Sequence, residues 1–198
     1  MNGPRLIDPM SYRRMPWKNG LGSTLELATD ATTNAAVGGS PWTWRLSIGD
    51  VPVRAAFSAF PGIDRHIACL DGAGLELRRG VERIAVAREG TAFAFAGEDT
   101  LEGEPIGAGV RDANLMLDRR VWRGELTIVR NGAAMPAQIN ADLVVMYAAQ
   151  CAHPLECRAN GQPILLRPSE TLVCPECVEI DFGSEASTLV IARILRTR

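Results

Sequence analysis

Trp42-Thr43-Trp44-Arg45-Leu46-Ser47-Ile48 alternates apolar and polar side chains along its whole length. Successive side chains of an extended chain point to opposite faces. The period of two therefore predicts a strand with Trp42, Trp44, Leu46 and Ile48 on one side and Thr43, Arg45 and Ser47 on the other. The same rhythm runs downstream through 67–70, the turn Asp71-Gly72-Ala73-Gly74, 75–78, 81–87 and 92–96. It resumes at 125–129, 143–149, 164–166, 171–174, 178–182 and 188–195. Short alternating runs parted by turn residues mark antiparallel sandwiches and barrels, and no stretch carries a long apolar stripe of helical period. The reading is an all-β protein with at most one or two short helices. The strand–turn–strand rhythm of 67–95 returns in 143–174, which suggests two halves parting near 117–121. A single irregular β-sandwich is the alternative.

The chain of 198 residues is 46% hydrophobic and 22% charged, with a formal net charge of −2. That is an ordinary globular composition with ample length for a core, and it disfavours disorder. The longest apolar runs, such as 143–149, are too short to span a bilayer, and the first ten residues show no signal-peptide pattern, so a cytoplasmic location is expected. Lys18 is the only lysine, and no basic cluster marks a nucleic-acid interface. Five cysteines in such a chain argue against a disulfide framework.

Four segments carry residues able to do chemistry. In Met15-Pro16-Trp17-Lys18-Asn19-Gly20-Leu21-Gly22, an aromatic face, an ammonium and an amide stand side by side next to glycines that permit close approach of a ligand. Lys18 as a point charge, with Asn19 and loop amides as directional donors, could hold a carboxylate; a surface hairpin plugged by Trp17 is the bland alternative. Arg45 and Ser47 share a strand face, and that face is either solvent or barrel lumen. An inward Arg45 would need an anion or a carboxylate partner. Phe57-Ser58-Ala59-Phe60-Pro61-Gly62-Ile63-Asp64-Arg65-His66 turns at Pro61-Gly62 and brings Asp64 and Arg65 to the mouth of a strand, as acid–base groups or as a local salt bridge. Asp112 and Asn114, two apart, point the same way in extended chain; they could satisfy Arg45, grip a polar ligand, or cap a turn.

Pro16-Trp17-Lys18-Asn19-Gly20, Trp44-Arg45-Leu46-Ser47-Ile48, Phe57 to Arg65 and Asp112-Ala113-Asn114-Leu115-Met116, in that order, closely resemble the HutD/Ves family. The likeness is strong over about residues 12 to 120 and rests on strand rhythm beyond. It implies an RmlC-like cupin fold with two β-barrel (double-stranded β-helix) halves, residues 1–118 carrying the motifs and 119–198 forming a degenerate barrel. It also implies a link to histidine utilisation or its regulation, without an established catalytic activity. Carried over by motif, a ligand pocket would be built from Trp17, Lys18, Asn19, Arg45, Ser47, Arg65, Asp112 and Asn114. Leu21 replaces the family's usual glycine, and Ala55-Ala56 its usual Gly-Pro. Both changes refill loops near that pocket, so fold transfers better than ligand identity.

Many cupins hold a metal with two or three histidines and a carboxylate, but only His66 and His153 occur here, with no His-X-His pair. No metal or other cofactor is expected. Cys151, His153, Cys157, Cys174 and Cys177 could in principle supply a zinc site if their segments meet, against the plainer reading as core and edge thiols. The expected function is binding of a small carboxylate such as formylglutamate or urocanate, with no nucleic-acid or membrane partner and a homodimer left open. A metal-free cupin enzyme acting on a similar acid is the alternative.

Overall fold

The computed structural model describes residues 3–17, 19–30, 41–88, 91–130, 138–180 and 187–198, apart from the side chains of Cys177 and Ile180. Among them are no α-helices, only a single 3-10 turn at Pro9–Ser11; no helix is long and apolar enough to cross a membrane. The strands are β1 (Arg5–Ile7), β2 (Arg13–Pro16), β3 (Ser23–Thr29), β4 (Trp44–Val51), β5 (Ala55–Ala56), β6 (Ile63–Asp71), β7 (Gly74–Arg79), β8 (Glu82–Ala87) and β9 (Phe93–Ala96). They continue as β10 (Glu102–Pro105), β11 (Val110–Asp118), β12 (Trp122–Arg130), β13 (Gln138–Cys151), β14 (Leu155–Ala159), β15 (Gln162–Leu166), β16 (Thr171–Ile180) and β17 (Ser187–Arg196). All the ladders given by register are antiparallel.

The chain forms two compact units. One comprises residues 13–123 with Thr197; the other comprises residues 1–12, 124–196 and 198. The first holds a six-stranded sheet in the order β2-β3-β4-β11-β6-β9 and a four-stranded sheet in the order β5-β10-β7-β8. The two sheets share one apolar cluster, to which the larger gives Val51, Ile67, Cys69, Phe95 and Val110 and the smaller gives Leu75, Leu77 and Val86. In the second unit a seven-stranded sheet runs β12-β17-β13-β16-β14-β15, with β1 added against β16. Its core is apolar throughout, built around Val144, Met146, Ala148, Leu166, Leu172, Leu189 and Ile191.

Two runs that read as separate strands, 171–174 and 178–182, belong in part to one strand. β16 continues through Pro175 because the ladder with β13 shifts register between Ala141 and Val144, and Glu176 takes φ 76°. A bulge of this kind absorbs a residue that cannot donate to the ladder. Tyr12 closes the N-terminal segment onto the same unit, its hydroxyl donating to the Ser169 carbonyl at 2.7 Å and lying 2.6 Å from Thr171 Oγ1.

Candidate functional site

The three central strands of the six-stranded sheet set out a lattice of side chains on one face. Register pairs Arg45 with Met116 and Met116 with Arg65. It pairs Ser47 with Asn114 and Asn114 with Ile67, and then Gly49 with Asp112 and Asp112 with Cys69. Because alternate residues share a face, the odd positions of β4 and β6 and the even positions of β11 all look the same way. Of these, Arg45, Ser47, Gly49, Val51, Arg65, Asp112 and Asn114 line a cavity of about 490 Å³, whose other walls include Trp17, Thr24, the 55–60 segment and Gly103.

Seven of the eight expected site residues line this cavity: Trp17, Asn19, Arg45, Ser47, Arg65, Asp112 and Asn114. Lys18 lies outside the described residues. The question of which way Arg45 faces is thereby answered: it faces the cavity, not solvent. Neither Arg45 nor Arg65 makes an ion pair with a carboxylate among the described residues, and Asp112 and Asn114 do not bond to Arg45. Instead Arg45 Nη2 sits 3.1 Å from Met116 Sδ, with its guanidinium carbon 5.1 Å from the Trp42 ring centroid and 5.9 Å from that of Phe60. Arg65, only 4% exposed, lies 4.8 Å from Phe57, 5.0 Å from Phe95 and 5.8 Å from Phe60, and donates one long bond of 3.4 Å to the Ser58 carbonyl. Aromatic faces attract a guanidinium while leaving its in-plane N–H edges to bond elsewhere. The Nε of each arginine is buried without a hydrogen-bond partner.

The other end of the lattice is acidic and amide-bearing. Asp112 is 2% exposed; burial pushes its carboxyl up to about 7, against an opposing pull from the Arg65 charge and a bond from its own backbone N–H. Burial likewise lowers Arg65, to about 10, with Asp112 pulling it back up and Arg45 pushing it further down. Arg45 is lowered by burial too, partly offset by Glu26. Asn114 is 8% exposed and its Oδ1 has no partner, while Ser47 Oγ reaches the Asn114 carbonyl only at 3.5 Å. At the mouth, Trp17 donates through Nε1 to Thr24 Oγ1 at 2.9 Å, and Asn19 Oδ1 accepts the Leu21 amide at 3.0 Å. The Asn19 oxygen thus shapes its own loop.

Glycine at 49 is a site feature that motif reading missed. A Cβ there would stand 2.4 Å from Asp112 Oδ1, so the carboxyl can lie across the strand only because the side chain is absent. Its signal was available, since 45, 47 and 49 continue one period-two face. Phe57 and Phe60 were also missed as site residues, although both stand in a quoted motif. Asp64 belongs to a different feature: it faces away from Arg65 and pairs at 2.9 Å with Arg119, which also holds Glu98. Asp112 and Asn114 sit in mid-strand, not in a turn. Among the described residues no group of three or more His, Cys, Asp or Glu is placed to hold a metal ion. Burial raises the Cys157 thiol to about 11, and the side chain of Cys177 lies outside the described residues.

Two antiparallel sheets enclosing a polar cavity define a cupin-type all-β protein, and solved structures agree. The fold resembles YlbA from E. coli at TM-score 0.66 and 7% identity over 97% of this chain and 90% of that one, and a cupin 2 conserved barrel domain protein from Leptotrichia buccalis at TM-score 0.50, 9% identity and 77% and 84% coverage. The chain belongs to the HutD family, whose profile matches residues 10–191. A conserved protein of unknown function from Pseudomonas aeruginosa PAO1 superposes at TM-score 0.81, with 29% identity over 98% of this chain and 99% of that one. HutD from Pseudomonas fluorescens SBW25 (formate condition) superposes at 0.70, with 25% identity over 98% and 100%. In sequence, an uncharacterized 21.2 kDa protein in the hutC 3′ region of Pseudomonas putida is 35% identical over 64% of each chain, and Protein Ves of Escherichia fergusonii is 29% identical over 50% of each. These matches thus span between half and two thirds of the curated relatives' own length.

Proposed function

We propose that this protein binds a small carboxylate-bearing metabolite in the cavity of its first unit, and that binding serves the regulation of histidine utilisation. The observation that carries the first part is the pair of guanidinium groups, Arg45 and Arg65, that line a cavity without an ion-paired carboxylate among the described residues. A buried charge without a partner is costly, and a bound anion removes that cost through charge-assisted hydrogen bonds. Trp17 and the Phe57–Phe60 segment supply the apolar walls against which the rest of a small ligand packs. The link to histidine utilisation rests on the family and on the relative in the hutC 3′ region.

Thermal unfolding in the presence of formate, acetate, urocanate and N-formylglutamate tests the reading. A ligand at a hundred times its Kd stabilises the native state by about 2.7 kcal/mol. A concentration-dependent rise in Tm in the wild type, lost in Arg45→Ala and Arg45→Gln, is expected. Indifference to every carboxylate refutes it. A second reading, a metal-free enzyme acting on such an acid, draws on one observation: a buried carboxyl held at about 7 is suited to proton transfer. Product formation that disappears in Asp112→Asn separates it from binding. A cytoplasmic homodimer remains a further proposal, checked by light scattering.

A further inference from the structure

The smaller sheet of the first unit, β5-β10-β7-β8, ends on a strand with one open side. β8 has six residues, Glu82–Ala87, and among the described residues it pairs only with β7. Its hairpin turns on Gly80-Val81, with Arg79 opposite Glu82. A two-residue loop closes on a hydrogen-bonded pair, and bonded pairs alternate with non-bonded ones along an antiparallel ladder. The backbone groups of Glu82, Ile84 and Val86 therefore point at β7, and those of Arg83, Ala85 and Ala87 point outward. Among the described residues no backbone group bonds to that outward row.

Nothing described covers the row either: Arg83, Ala85 and Ala87 are all exposed. The Arg83 side chain leans away from the edge, its Nη1 donating to Glu76 Oε1 on β7 at 3.0 Å. Proteins usually blunt such an edge with proline, lysine or a bulge. β8 has none of these, and its ladder with β7 keeps one register throughout. The other edges of this unit suit pairing less well, since β5 has two residues, β9 has four and β2 ends in Pro16.

The sequence of β8 also fits its own reverse. One antiparallel register uses all three outward residues: Ala85 opposite Ala85 of a second copy, and Arg83 opposite Ala87. On the other face it sets Ile84 against Val86 and Glu82 against Arg88, the exposed residue just past the strand. Small side chains thus meet at the axis, apolar ones beside it and opposite charges at each end. The next register, Arg83 opposite Ala85, sets Glu82 against Val86, and the one beyond sets Arg83 against Arg83. Opposite charges across a strand pair stabilise it and like charges destabilise it.

Building on the homodimer reading, we propose that two copies of this chain pair through their β8 edges about a two-fold axis at Ala85, joining the two smaller sheets into one. Such an interface is isologous, each contact occurring twice. β5 and β10 of that sheet supply Ala55, Ala56 and Gly103 to the cavity wall, so pairing braces the cover of both cavities.

Sedimentation velocity of the full chain over a range of concentrations tests this, with tryptophan fluorescence confirming that each variant is folded. The wild type should dimerise. Ala85→Pro removes an outward N–H that β7 does not use, and should be monomeric at the same concentrations. Glu82→Arg and Arg88→Glu should each weaken the dimer about tenfold, and the double variant should recover most of that loss. Ala85→Cys reads the register directly. Residues of a hydrogen-bonded antiparallel pair have Cα atoms about 5.5 Å apart, within disulfide range, so mild oxidation should give a covalent dimer above the wild-type background. Ala87→Cys should give none, because its two copies stand about 14 Å apart along the strands. A wild type that stays monomeric refutes the homodimer and this interface together. A dimer that survives Ala85→Pro and gives no cross-link with Ala85→Cys keeps the homodimer and overturns the β8 pairing. Cross-linking through Ala87→Cys in place of Ala85→Cys overturns it as well.

Discussion

The Asp112 carboxyl offers a measurement that needs no ligand. Burial raises it from an ordinary 3.8 to about 7, net of the opposing Arg65 charge. A group whose folded-state value lies above its unfolded value holds a proton in the native state across the interval between them. Its contribution is therefore greatest below about 4, declines as pH rises through that interval, and is flat above about 7. Each unit corresponds to about 1.4 kcal/mol, so the full interval is worth about 4 kcal/mol. Between pH 5 and pH 8 roughly 2–3 kcal/mol of it falls due. The carboxylates held low by arginines, Glu98 and Asp118, act with the opposite sign, but their titration is nearly complete by pH 5. All four tryptophans, at 17, 42, 44 and 122, lie in the unit of residues 13–123. Tryptophan fluorescence during urea titration thus reports the unit that holds Asp112. The wild type should lose about 2–3 kcal/mol between pH 5 and pH 8, and Asp112→Asn, which keeps the shape without the charge, should lose far less. Parallel curves for the two proteins across that range refute the assignment of a raised carboxyl to this site.

Two further outcomes follow from the same cavity. Gly49→Ala places a Cβ 2.4 Å from Asp112 Oδ1, so the carboxyl or the strand must shift; a loss of about 1–3 kcal/mol in urea titration is expected, together with loss of carboxylate-induced stabilisation. Anion affinity should fall roughly tenfold as pH rises from 6 to 8, because ionisation of Asp112 places one more negative charge in the cavity lining beside Arg45 and Arg65; calorimetry with formate in wild type and Asp112→Asn checks it, the variant showing a flat profile.

Much of this protein was readable as a string of residues. The alternation from Trp42 to Ile48 dictates a strand and commits Arg45 and Ser47 to one face, because side-chain direction in extended chain follows from backbone geometry alone. The same rule pairs Asp112 with Asn114. Local rules falter where tertiary structure supplies the missing term. β16 runs on through Pro175 because a register shift in its neighbour makes room for a bulge, which nothing in Val173-Cys174-Pro175-Glu176 announces. Asp64 and Arg65, adjacent in the chain, part company: one pairs outward with Arg119, the other turns in among three phenylalanines.

By itself, then, the order of residues determined the antiparallel architecture, the grouping of polar side chains by face, and the family. It could not say whether the Arg45 face was lumen or solvent, since both satisfy the same period of two. That was decided when the smaller sheet and the 55–60 segment closed over β4, β6 and β11, removing water from two guanidinium groups and one carboxyl at once. The physical reason is that desolvation is a property of an enclosure. Arg65 at 4% exposure and Asp112 at 2% acquire their shifted ionisation from atoms distant in sequence, and only the folded arrangement brings those atoms there.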